Sequence, residues 1–531
     1  MKKKTLLHQK WYLYLTEFFS GVSVMAVELG ASRLLAPYFS SSQIVWTIII
    51  GTIMIAMALG NLWGGRSADK NPDPALLYRR ILIAAVWIGA IPVVGKYVIL
   101  GISGLLVFAV NAQFLVIAAF ASCMVLFVFP LFLLGTVTPS LVKYTVDSLE
   151  DSGRTVGRLG ACNTVGSILG TFLPTFVTIP AVGTSVTFLI FAGVLLAIGL
   201  AYFISEKACA VRCITASVLF ALCVVFGRGT SFAFWENTLS YEGESVYNYL
   251  QVKEDEERVT LSTNVLFGVQ SVMMKNGGLT GMYYDYALAA PAMAGSAAPR
   301  VLILGNGTGT FARQCQTYFP GAAVEGVEID GKITALASSY FSLPDSIPVT
   351  EYDGRAYLQT VEGTYDVIMV DAYQDITIPF QMSTQEFFTQ VRSHLSDNGV
   401  MVVNMNMHSD GADSINAWLC DTISSVFPHV YTADVPNTTN KELFACSSGD
   451  PAALLAQHLS SVSDVRLRNL LRTVGQKLTA YVPGSHLLTD DQAPVEVLGM
   501  RMIDGLIEEE LQYYKNTYAE KGLSGLLSEL T

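Results

Sequence analysis

The second half of the chain contains a loop and an acid whose types and spacing suit the binding of a nucleoside. The run VLILGNGTG carries four apolar residues into a glycine-rich loop with Gly305, Gly307, Thr308 and Gly309. Glycines let a backbone approach a ligand closely, and the helix that follows such a loop offers free N–H groups. Glu328 lies 23 residues beyond Gly305, a separation at which an acid can accept hydrogen bonds from both hydroxyls of a ribose.

Two more acids follow predicted strands further along the chain. Asp353 and Gly354 occur in EYDGRAYL, where they could contact the edge of an adenine, and Asp371 ends the run YDVIMVD. A single acid after a strand more often caps the next helix than binds a ligand. Four consecutive strand ends with G-x-G-x-G, Glu, Asp-Gly and Asp form a far more specific pattern, which predicts a nucleoside site.

Strands that alternate with helices must position these residues. After Pro299 the pattern predicts strands, with helices between them, at 300–304, 323–329, 347–351, 366–371 and 398–404. Such alternation is typical of a parallel sheet with helices on both faces, in which ligands bind at the carboxyl ends of the strands. Before it, the runs YNYLQVKE, RVTLST and GVQSVMMK predict a small antiparallel unit. The second half is therefore predicted to be a Rossmann-like, methyltransferase-type α/β domain behind a small antiparallel β-unit.

The first half of the chain is predicted to be a polytopic α-helical membrane domain. A spanning helix needs about 20 mostly apolar residues. Stretches of this kind occur at 11–36, 44–65, 77–99, 114–142, 156–180, 184–204 and 208–228. They predict about seven spans, or eight if 97–142 contains two short ones. The predicted domains are the membrane part at 1–228, a linker at 229–245, the β-unit with a helix at 246–298, and the nucleoside-binding catalytic domain at 299–531.

Charge divides between the two halves in a way that bears on partners and location. Residues 1–228 carry 16 Lys and Arg against 8 Asp and Glu, whereas residues 229–531 carry 16 against 36. An acidic domain repels phosphate backbones, so the expected partners are a small molecule and the lipid bilayer, and not nucleic acid. Seven spans with basic loops inside would place the acidic domain outside, and eight would place it inside. The supply of a nucleoside cofactor favours the cytoplasmic side of a prokaryotic plasma membrane.

The eight cysteines do not indicate a metal site. Five lie in the apolar half and three in the acidic half, and no pair has the C-x-x-C spacing of a zinc or redox site. We therefore expect that the protein uses no metal.

The region from Ser245 to about Pro494 resembles the spermidine synthase (polyamine aminopropyltransferase) family. The matching stretches are SVYNYLQV, GVQS, YYD, VEID, DGRAYL, YDVIMVDAY, TQEFF and LTDDQAPVE. The first half resembles the membrane region of the fused members of that family, through ELGASRLLAPYFSSSQIVWT and LPTFVTIPAVGT. This resemblance implies an enzyme that moves the aminopropyl arm of decarboxylated S-adenosylmethionine to an amine and releases 5′-methylthioadenosine.

The resemblance also implies a role for each matching residue. Glu328 would hold the ribose and Asp353, with Gly354, the adenine. Asp371 would take a proton from the attacking amine, which cannot attack while it is an ammonium. The other implied positions are Tyr283 and Gln270 at the reacting centre, Asn248 (which replaces a glutamine) beside the cofactor, and Tyr284, Asp285, Gln374 and Asp375 beside the substrate.

This sequence departs from the family at positions that would bind ammonium groups. Thr308, Thr280 and Gln374 stand where the family has acids, although Asp375 could replace the last of these one residue late. Thr438 stands where the family has a second tyrosine. A buried ammonium without its carboxylate is costly, so a diamine and an aminopropyl donor should both bind poorly unless acids elsewhere compensate.

Several functions stay open at this point. The first is aminopropyl transfer to an amine such as a polyamine. The second is acceptor-free cleavage of S-adenosylmethionine, whose own carboxylate would attack the γ-carbon and give methylthioadenosine and homoserine lactone. The third is a transporter or sensor with a nucleoside-binding domain, against which Asp371, Tyr283 and Gln270 argue because binding alone needs no base. Methyl transfer fits the β-unit less well, and a homodimer remains an open oligomeric alternative.

Overall fold

The computed structural model describes residues 9–39, 42–107, 109–110, 113–146, 152–229, 231–265, 269–372, 378–406 and 411–530. Two compact units share the chain. The first comprises Met1–Glu236, Gly243–Tyr249 and Ile507–Thr531, and the second comprises Asn237–Glu242 and Leu250–Leu506. The predicted domains, with a linker at 229–245 and a last domain that runs to 531, divide the chain differently and stay a prediction.

The first unit is built from apolar helices. In chain order these are α1 (Lys10–Phe39), α2 (Gln43–Lys70), α3 (Pro74–Val107), α4 (Phe114–Leu126), α5 (Val128–Gly135), α6 (Val137–Thr145), α7 (Ser152–Leu173), α8 (Ile179–Ser205) and α9 (Ala210–Gly227). Six helical stretches of the described residues are long and apolar enough to cross a membrane, namely Lys10–Phe39, Gln43–Lys70, Pro74–Val107, Val128–Thr145, Ser152–Ser205 and Ala210–Gly227. They confirm the predicted polytopic helical domain.

The stretch Ser152–Ser205 is much longer than one crossing requires. It has 54 residues and joins α7 to α8 through a π-helical turn at Pro174–Thr178. A straight helix of that length would measure about 80 Å, against about 30 Å for the hydrocarbon core of a bilayer. The stretch bends at Gly183, whose φ is +80°. Both spans predicted at 156–180 and 184–204 fall within it, so the count of seven spans stays a prediction.

Two glycines let α7 approach α1 closely. A Cβ on Gly166 would lie 2.1 Å from the carbonyl oxygen of Phe18, and a Cβ on Gly170 would lie 2.2 Å from that of Val22. The spacing of four residues places both glycines on one face of α7, as in other small-residue contacts between membrane helices. Any larger side chain at either position would separate the two helices.

A four-stranded sheet follows the membrane helices. It consists of β1 (Leu239–Glu244), β2 (Tyr249–Glu254), β3 (Arg258–Ser262) and β4 (Ser271–Met274), in that spatial order. The pairs β2–β3 and β3–β4 are antiparallel, as the sequence predicts. The strand β1 lies inside the predicted linker and adds a fourth strand that was not expected. Two short helices come next, α10 (Tyr283–Ala287) and α11 (Ala289–Ala294).

The remainder of the second unit is organised around an eight-stranded sheet. Its strands are β5 (Arg300–Leu304), β6 (Ala323–Glu328), β7 (Val349–Glu351), β8 (Tyr365–Val370), β9 (Leu395–Asn406), β10 (His429–Asp434), β11 (Asn440–Cys446) and β12 (Thr479–Ala480). The helices are α12 (Thr310–Tyr318), α13 (Gly331–Tyr340), α14 (Gly354–Leu358), α15 (Gln385–Ser393), α16 (Ile415–Ser424), α17 (Pro451–His458) and α18 (Val465–Lys477). A last helix, α19 (Val495–Leu530), begins in the second unit, and its residues from Ile507 onward belong to the first. The strand order is β12-β10-β11-β9-β8-β5-β6-β7.

The sheet is mixed rather than wholly parallel. The five predicted strands are all present and pair in parallel, β7 to β6, β6 to β5, β5 to β8 and β8 to β9. On its other side β9 pairs antiparallel with β11, and β10 pairs antiparallel with both β11 and β12. The fold class is confirmed, and the antiparallel strands extend it beyond the prediction. The start of β11 therefore lies at the edge where β8 and β9 end.

Apolar side chains cover both faces of this sheet. On one face Val301 and Ile303 belong to a buried cluster with residues of α10 and α11. On the other face Leu302 and Leu304 belong to a cluster with Phe387 of α15. Strands that are buried on both faces are nearly continuous hydrophobic runs, which explains VLIL and VIMV in the sequence. The polar site residues come at the ends of these runs.

Candidate active site

Asp371 lies directly after β8 and receives two side-chain hydrogen bonds. The hydroxyl of Tyr283 donates to Oδ2 at 2.6 Å, and Asn404 Nδ2 donates to Oδ1 at 2.8 Å. The backbone N–H of Asp371 donates to the carbonyl oxygen of Leu304, which places it beside the glycine-rich loop. Burial raises the pKa of Asp371 to about 7, while both hydrogen bonds lower it because they stabilise the carboxylate. Such a pKa suits a general base that works near neutral pH.

Asn404 is oriented by a second amide. Its Oδ1 accepts a hydrogen bond from Asn440 Nδ2 at 2.8 Å, so its own NH2 group is left to donate to Asp371. Asn440 lies at the start of β11, the strand whose Glu442 pairs in register with Asn404. The antiparallel half of the sheet thus helps to orient the side chain of Asp371, the predicted base.

The glycine-rich loop connects β5 to α12 and holds Glu328. Gly305 has a φ of +88°, and a Cβ there would lie 2.4 Å from the carbonyl oxygen of Asp371. The N–H of Gly307 donates to Glu328 Oε2 at 2.8 Å, and the N–H of Asp330 donates to Oε1 at 3.1 Å. Burial raises the pKa of Glu328 to about 7, although these backbone N–H groups lower it. The structure brings the loop, Glu328 and Asp371 together, and the ribose contact stays a prediction.

Two side chains of the same loop contain buried polar atoms that have no hydrogen-bond partner among the described residues. In Asn306 the atoms are Oδ1 and Nδ2, and in Thr308 the atom is Oγ1. Thr308 is 1% exposed, and its backbone N–H donates to Ser271 Oγ at 3.3 Å. Buried polar groups are normally hydrogen-bonded, so these atoms are available to a ligand on the loop. Their chemistry fits a nucleoside-bearing group with polar substituents.

Asp353 performs the structural task that a single acid after a strand usually has. Its Oδ1 accepts a hydrogen bond from the N–H of Ala356 at 2.8 Å and so caps α14. Gly354 is buried at the first position of that helix. The capping role does not use the second carboxylate oxygen, and the adenine contact stays a prediction.

Arg355 next to this cap forms a two-point ion pair with Asp490. Its Nη1 lies 2.7 Å from Oδ1 and its Nη2 lies 2.6 Å from Oδ2, and Thr384 Oγ1 also donates to Oδ1 at 2.8 Å. Asp490 belongs to the run LTDDQAPVE. The pair therefore joins two of the stretches that carry the family resemblance.

Tyr283 and Tyr284 lie against each other beside Asp371, with ring centroids 4.0 Å apart and ring planes tilted by 36°. The hydroxyl of Tyr284 donates to the backbone carbonyl of Gln270 at 2.7 Å. Gln270, which was predicted at the reacting centre, is thereby attached to the tyrosine next to Tyr283. The roles predicted for the three residues stay predictions, and the structure brings them to one place.

Asp285 is fully engaged within the protein. Its Oδ1 accepts hydrogen bonds from Thr280 at 3.0 Å and from Gln314 Nε2 at 2.7 Å, and its Oδ2 accepts one from the N–H of Gly281 at 2.7 Å. Its side chain holds the turn before α10, which favours a structural role over the predicted contact with substrate. Thr280, at a position of a family acid, thus uses its hydroxyl on Asp285.

Four other predicted residues are placed elsewhere or fall outside the description. Gln374 and Asp375 lie in residues 373–377, outside the described part of the chain. Asn248 belongs to the first unit, where its N–H donates to Ser245 Oγ at 2.8 Å. Thr438 donates to the carbonyl oxygen of Val435 at 3.1 Å in the turn before β11. The ligand contacts predicted for Gln374, Asp375 and Asn248 stay predictions.

Sequence analysis missed Asn306, Asn404, Asn440 and Glu442. Asn306 stands inside the quoted glycine-rich loop, where asparagine is common for its turn geometry alone, so its type does not single it out as a ligand contact. The other three depend on the pairing of β9 with β11, which nothing in the sequence pattern specifies. As for metals, the described residues contain no group of three His, Cys, Asp or Glu side chains that could hold an ion.

Comparisons with known proteins show which family this chain resembles. The family described as "Spermine/spermidine synthase domain" matches residues 282–451, a range that includes Tyr283 and Asp371. A protein of Bifidobacterium longum named "Probable polyamine aminopropyl transferase" is 54% identical over 345 residues, which cover 62% of this chain and 77% of that protein. A "Polyamine aminopropyltransferase" of Vibrio vulnificus is 28% identical over 236 residues, 43% of this chain and 77% of that protein.

A solved spermidine synthase from Thermotoga maritima is 18% identical, with a TM-score of 0.37 over 52% of this chain and 88% of that one. This likeness is too distant to add to the assignment. The fold is Rossmann-like, and the relatives place the chain in the transferase class of enzymes. The extent and identity of the Bifidobacterium match show that this chain belongs to the spermidine synthase (polyamine aminopropyltransferase) family, here with a helical membrane domain in front.

Proposed function

We propose that this enzyme transfers an aminopropyl group from decarboxylated S-adenosylmethionine to an amine and releases 5′-methylthioadenosine. The observation that carries the proposal is the environment of Asp371, which receives hydrogen bonds from Tyr283 and Asn404 beside the glycine-rich loop. A binding domain would have no need for a carboxylate with a pKa of about 7 at this position.

Asp371 acts as the general base in this proposal. The acceptor amine is an ammonium in water and has no free electron pair until it gives a proton to the carboxylate. The neutral nitrogen then bonds to the terminal carbon of the aminopropyl arm, the carbon–sulfur bond breaks, and its electron pair moves to the sulfur. The positive sulfonium becomes a neutral thioether, and the proton remains on Asp371.

The loop and its neighbours bind the nucleoside part of the donor. Glu328 accepts hydrogen bonds from the ribose in place of the one it now takes from Gly307, and Asp353 with Gly354 meets the adenine. The side-chain groups of Asn306 and Thr308, which have no hydrogen-bond partner among the described residues, supply further contacts on the same loop. Tyr283 keeps Asp371 oriented, since its hydroxyl is a donor to the carboxylate at 2.6 Å.

Acceptor-free cleavage of S-adenosylmethionine is the second candidate, and Thr308 is the observation that favours it. Its buried hydroxyl stands where the family has an acid, and among the described residues it has no partner. A hydroxyl can donate to the carboxylate of an intact methionine arm, which an acid would repel. In this alternative that carboxylate attacks the γ-carbon, and the products are methylthioadenosine and homoserine lactone.

One experiment separates the two candidates. Purified full-length protein in detergent is incubated with decarboxylated S-adenosylmethionine plus putrescine, and separately with S-adenosylmethionine alone, and methylthioadenosine is measured by chromatography. We expect release that requires the amine and that falls by about 10²–10⁴-fold in Asp371→Asn. Release from S-adenosylmethionine alone, lost in the same variant, would establish the second candidate instead.

The proposed setting is a membrane enzyme with its catalytic unit in the cytoplasm. The six long apolar helices support membrane insertion. The cytoplasmic side is proposed because the nucleoside donor is made there. The side of the membrane is tested by labelling single cysteines introduced into residues 229–531, in intact cells and in permeabilised cells. Cysteines that are labelled only after permeabilisation would support the cytoplasmic location.

A further inference from the structure

Glu442 is a buried carboxylate that the mechanism above does not use. It lies on β11, its side chain is 0% exposed, and neither of its carboxylate oxygens has a hydrogen-bond partner among the described residues. An ionised carboxylate in this condition is costly, because it loses its water without gaining donors. A buried group left unsatisfied in this way needs an explanation, such as a catalytic role or a bound ion.

The position of Glu442 in the sheet relates it to the predicted base. Val370 of β8 pairs with Val403 of β9, so Asp371 and Asn404 are the next residues along these two strands. Asn404 in turn pairs with Glu442 of β11. Asp371, Asn404 and Glu442 therefore form a polar row across three adjacent strands. Its two acids are two strand spacings apart, roughly 10 Å along the sheet.

The side chains of this polar row share one face of the sheet. Asn440 and Glu442 are two residues apart on β11, so they point to the same side, and the Asn440 amide contacts the Asn404 amide. Phe444, two residues further on, belongs to the buried cluster that contains Tyr283 and Tyr284. Glu442 thus lies on the face where the two tyrosines cover Asp371.

The charged neighbours of Glu442 make the site attractive to a cation. Burial, and then the negative charge of Asp371, raise the pKa of Glu442 well above its usual range. The negative charge of Glu442 also contributes to the raised pKa of Tyr284, after burial and the charge of Asp371. The neighbouring Lys441 faces the opposite side of the sheet, because successive residues of a strand alternate, and its Nζ forms an ion pair with Asp434 at 3.2 Å. A cation placed between the two acids would relieve the repulsion and supply Glu442 with hydrogen-bond donors.

We infer that Glu442 binds a protonated amino group of the acceptor while Asp371 receives the proton of the attacking one. This inference rests on the proposed function. Glu442 would supply one carboxylate to a site in which Thr280 and Gln374 stand where the family has acids. The hydroxyl of Thr280 is itself hydrogen-bonded to Asp285. The separation across the polar row suits a short diamine, with one nitrogen at each acid.

Glu442 is therefore a specificity residue and takes no part in bond changes. The carbon–nitrogen bond forms, the carbon–sulfur bond breaks, and the released proton goes to Asp371. The distant ammonium stays protonated against Glu442 throughout. Its removal should weaken binding of a diamine and leave the chemical step nearly unchanged.

Glu442→Gln tests this with a diamine and a monoamine. With putrescine we expect KM to rise at least about 30-fold with kcat within about threefold, since a lost buried charge pair typically costs this much or more. With propylamine, which has no second ammonium, KM should change by less than about threefold. An equal change for both amines, or no change for putrescine, would overturn the inference.

Thermal unfolding supplies a second readout that a structural role would not produce. We expect Glu442→Gln not to lower the Tm of the ligand-free protein, because the carboxyl group that it replaces makes no hydrogen bond among the described residues. The matched control is Asp421→Asn, whose buried carboxylate accepts hydrogen bonds from Tyr481, Gly484 and His486 and whose loss should lower Tm. A lowered Tm in Glu442→Gln with unchanged KM would show that Glu442 is structural.

Calorimetric binding of putrescine in the presence of methylthioadenosine separates failure of the inference from failure of the proposed function. In one outcome, wild-type protein binds putrescine, and Glu442→Gln binds it at least about 30-fold more weakly, but the wild type releases no methylthioadenosine when putrescine is present. This outcome would overturn the proposed function alone. Equal binding by both proteins, with normal amine-dependent turnover, would overturn the inference alone. Absence of both binding and turnover in the wild type would overturn both.

Discussion

The hydroxyl of Tyr283 lies 2.6 Å from Asp371 Oδ2, across 88 residues of chain. The bond joins the short helix α10 to the end of β8 and gives the carboxylate one of the two side-chain donors that it has among the described residues. Burial and the charge of Asp371 raise the pKa of Tyr283 well above its usual range, so the hydroxyl remains protonated and can only donate to the ionised acid. The ionisation of Asp371 should therefore depend on Tyr283.

The pH dependence of activity should report this bond. The proposed base must be ionised to act, so kcat/KM for amine-dependent turnover is expected to rise with pH and to level off above the pKa of Asp371, about 7. Tyr283→Phe removes a donor that stabilises the charged form, so this limb should move to higher pH. Pre-steady-state release of methylthioadenosine between pH 5.5 and 9 measures it.

Tyr286→Phe is the matched control, because Tyr286 lies on the same helix and is equally buried. It should leave the limb where it is in wild type. An unshifted limb in Tyr283→Phe would mean that the bond to Asp371 does not govern the observed ionisation.

Stability should depend on pH through the same carboxylate. The pKa of Asp371 in the folded protein, about 7, lies above the ordinary value of 3.8. Its contribution to the free energy of unfolding is therefore fully present below about pH 4 and is lost as pH rises to about 7. Asp371→Asn has no such loss, so its Tm relative to wild type should increase between pH 5 and pH 8. The shift sets an upper limit on the order of 4 kcal/mol.

Thermal unfolding followed by near-ultraviolet circular dichroism at the two pH values measures that difference. Glu328, whose pKa is also about 7, titrates in both proteins and largely cancels. A Tm difference that is the same at pH 5 and pH 8 would contradict the raised pKa.

Gly305 should tolerate no side chain. Gly305→Ala combines a φ of +88° with a Cβ 2.4 Å from the carbonyl oxygen of Asp371, so the backbone that carries Asp371 must move. A displacement near 1 Å typically costs about 10²-fold in rate, and we expect a loss of that size in methylthioadenosine release.

Gly277→Ala provides the comparison for backbone strain alone. Gly277 has a φ of +69°, and a Cβ there would meet nothing within 4 Å. It should lower the free energy of unfolding by about 1 kcal/mol and leave turnover unchanged. Equal turnover in the two variants would show that the close approach at Gly305 has no consequence for Asp371.

Much of the catalytic fold could be predicted because local patterns determine it. The apolar runs before Gly305 and Asp371 mark strands buried on both faces, and their polar ends mark the ligand edge. The short separation in sequence between Gly305 and Glu328 leaves room for one helix between their strands, which is typical of neighbouring parallel strands such as β5 and β6. The membrane helices are equally evident, since a bilayer demands long apolar segments.

The antiparallel part of the site could not be predicted in the same way. NKELFACSS contains a glutamate that would ordinarily be assigned to a solvent-facing position, and only pairing with β9 places Glu442 in the interior. Register between strands distant in sequence depends on the whole sheet rather than on the residues of one strand. Asp353 and Asp285 show the converse, because their helix-capping and turn-holding bonds are what such acids do most often.

The ion pair between Arg355 and Asp490 has a consequence for the order in which the protein is made. The two residues are 135 positions apart, so a ribosome that adds about 5–20 residues per second needs roughly 7–27 s to go from one to the other. During that interval the apolar helices have already left the ribosome, while the segment around α14 still lacks its partner. A nascent chain arrested before residue 490 should therefore be inserted in the bilayer yet sensitive to protease near Arg355.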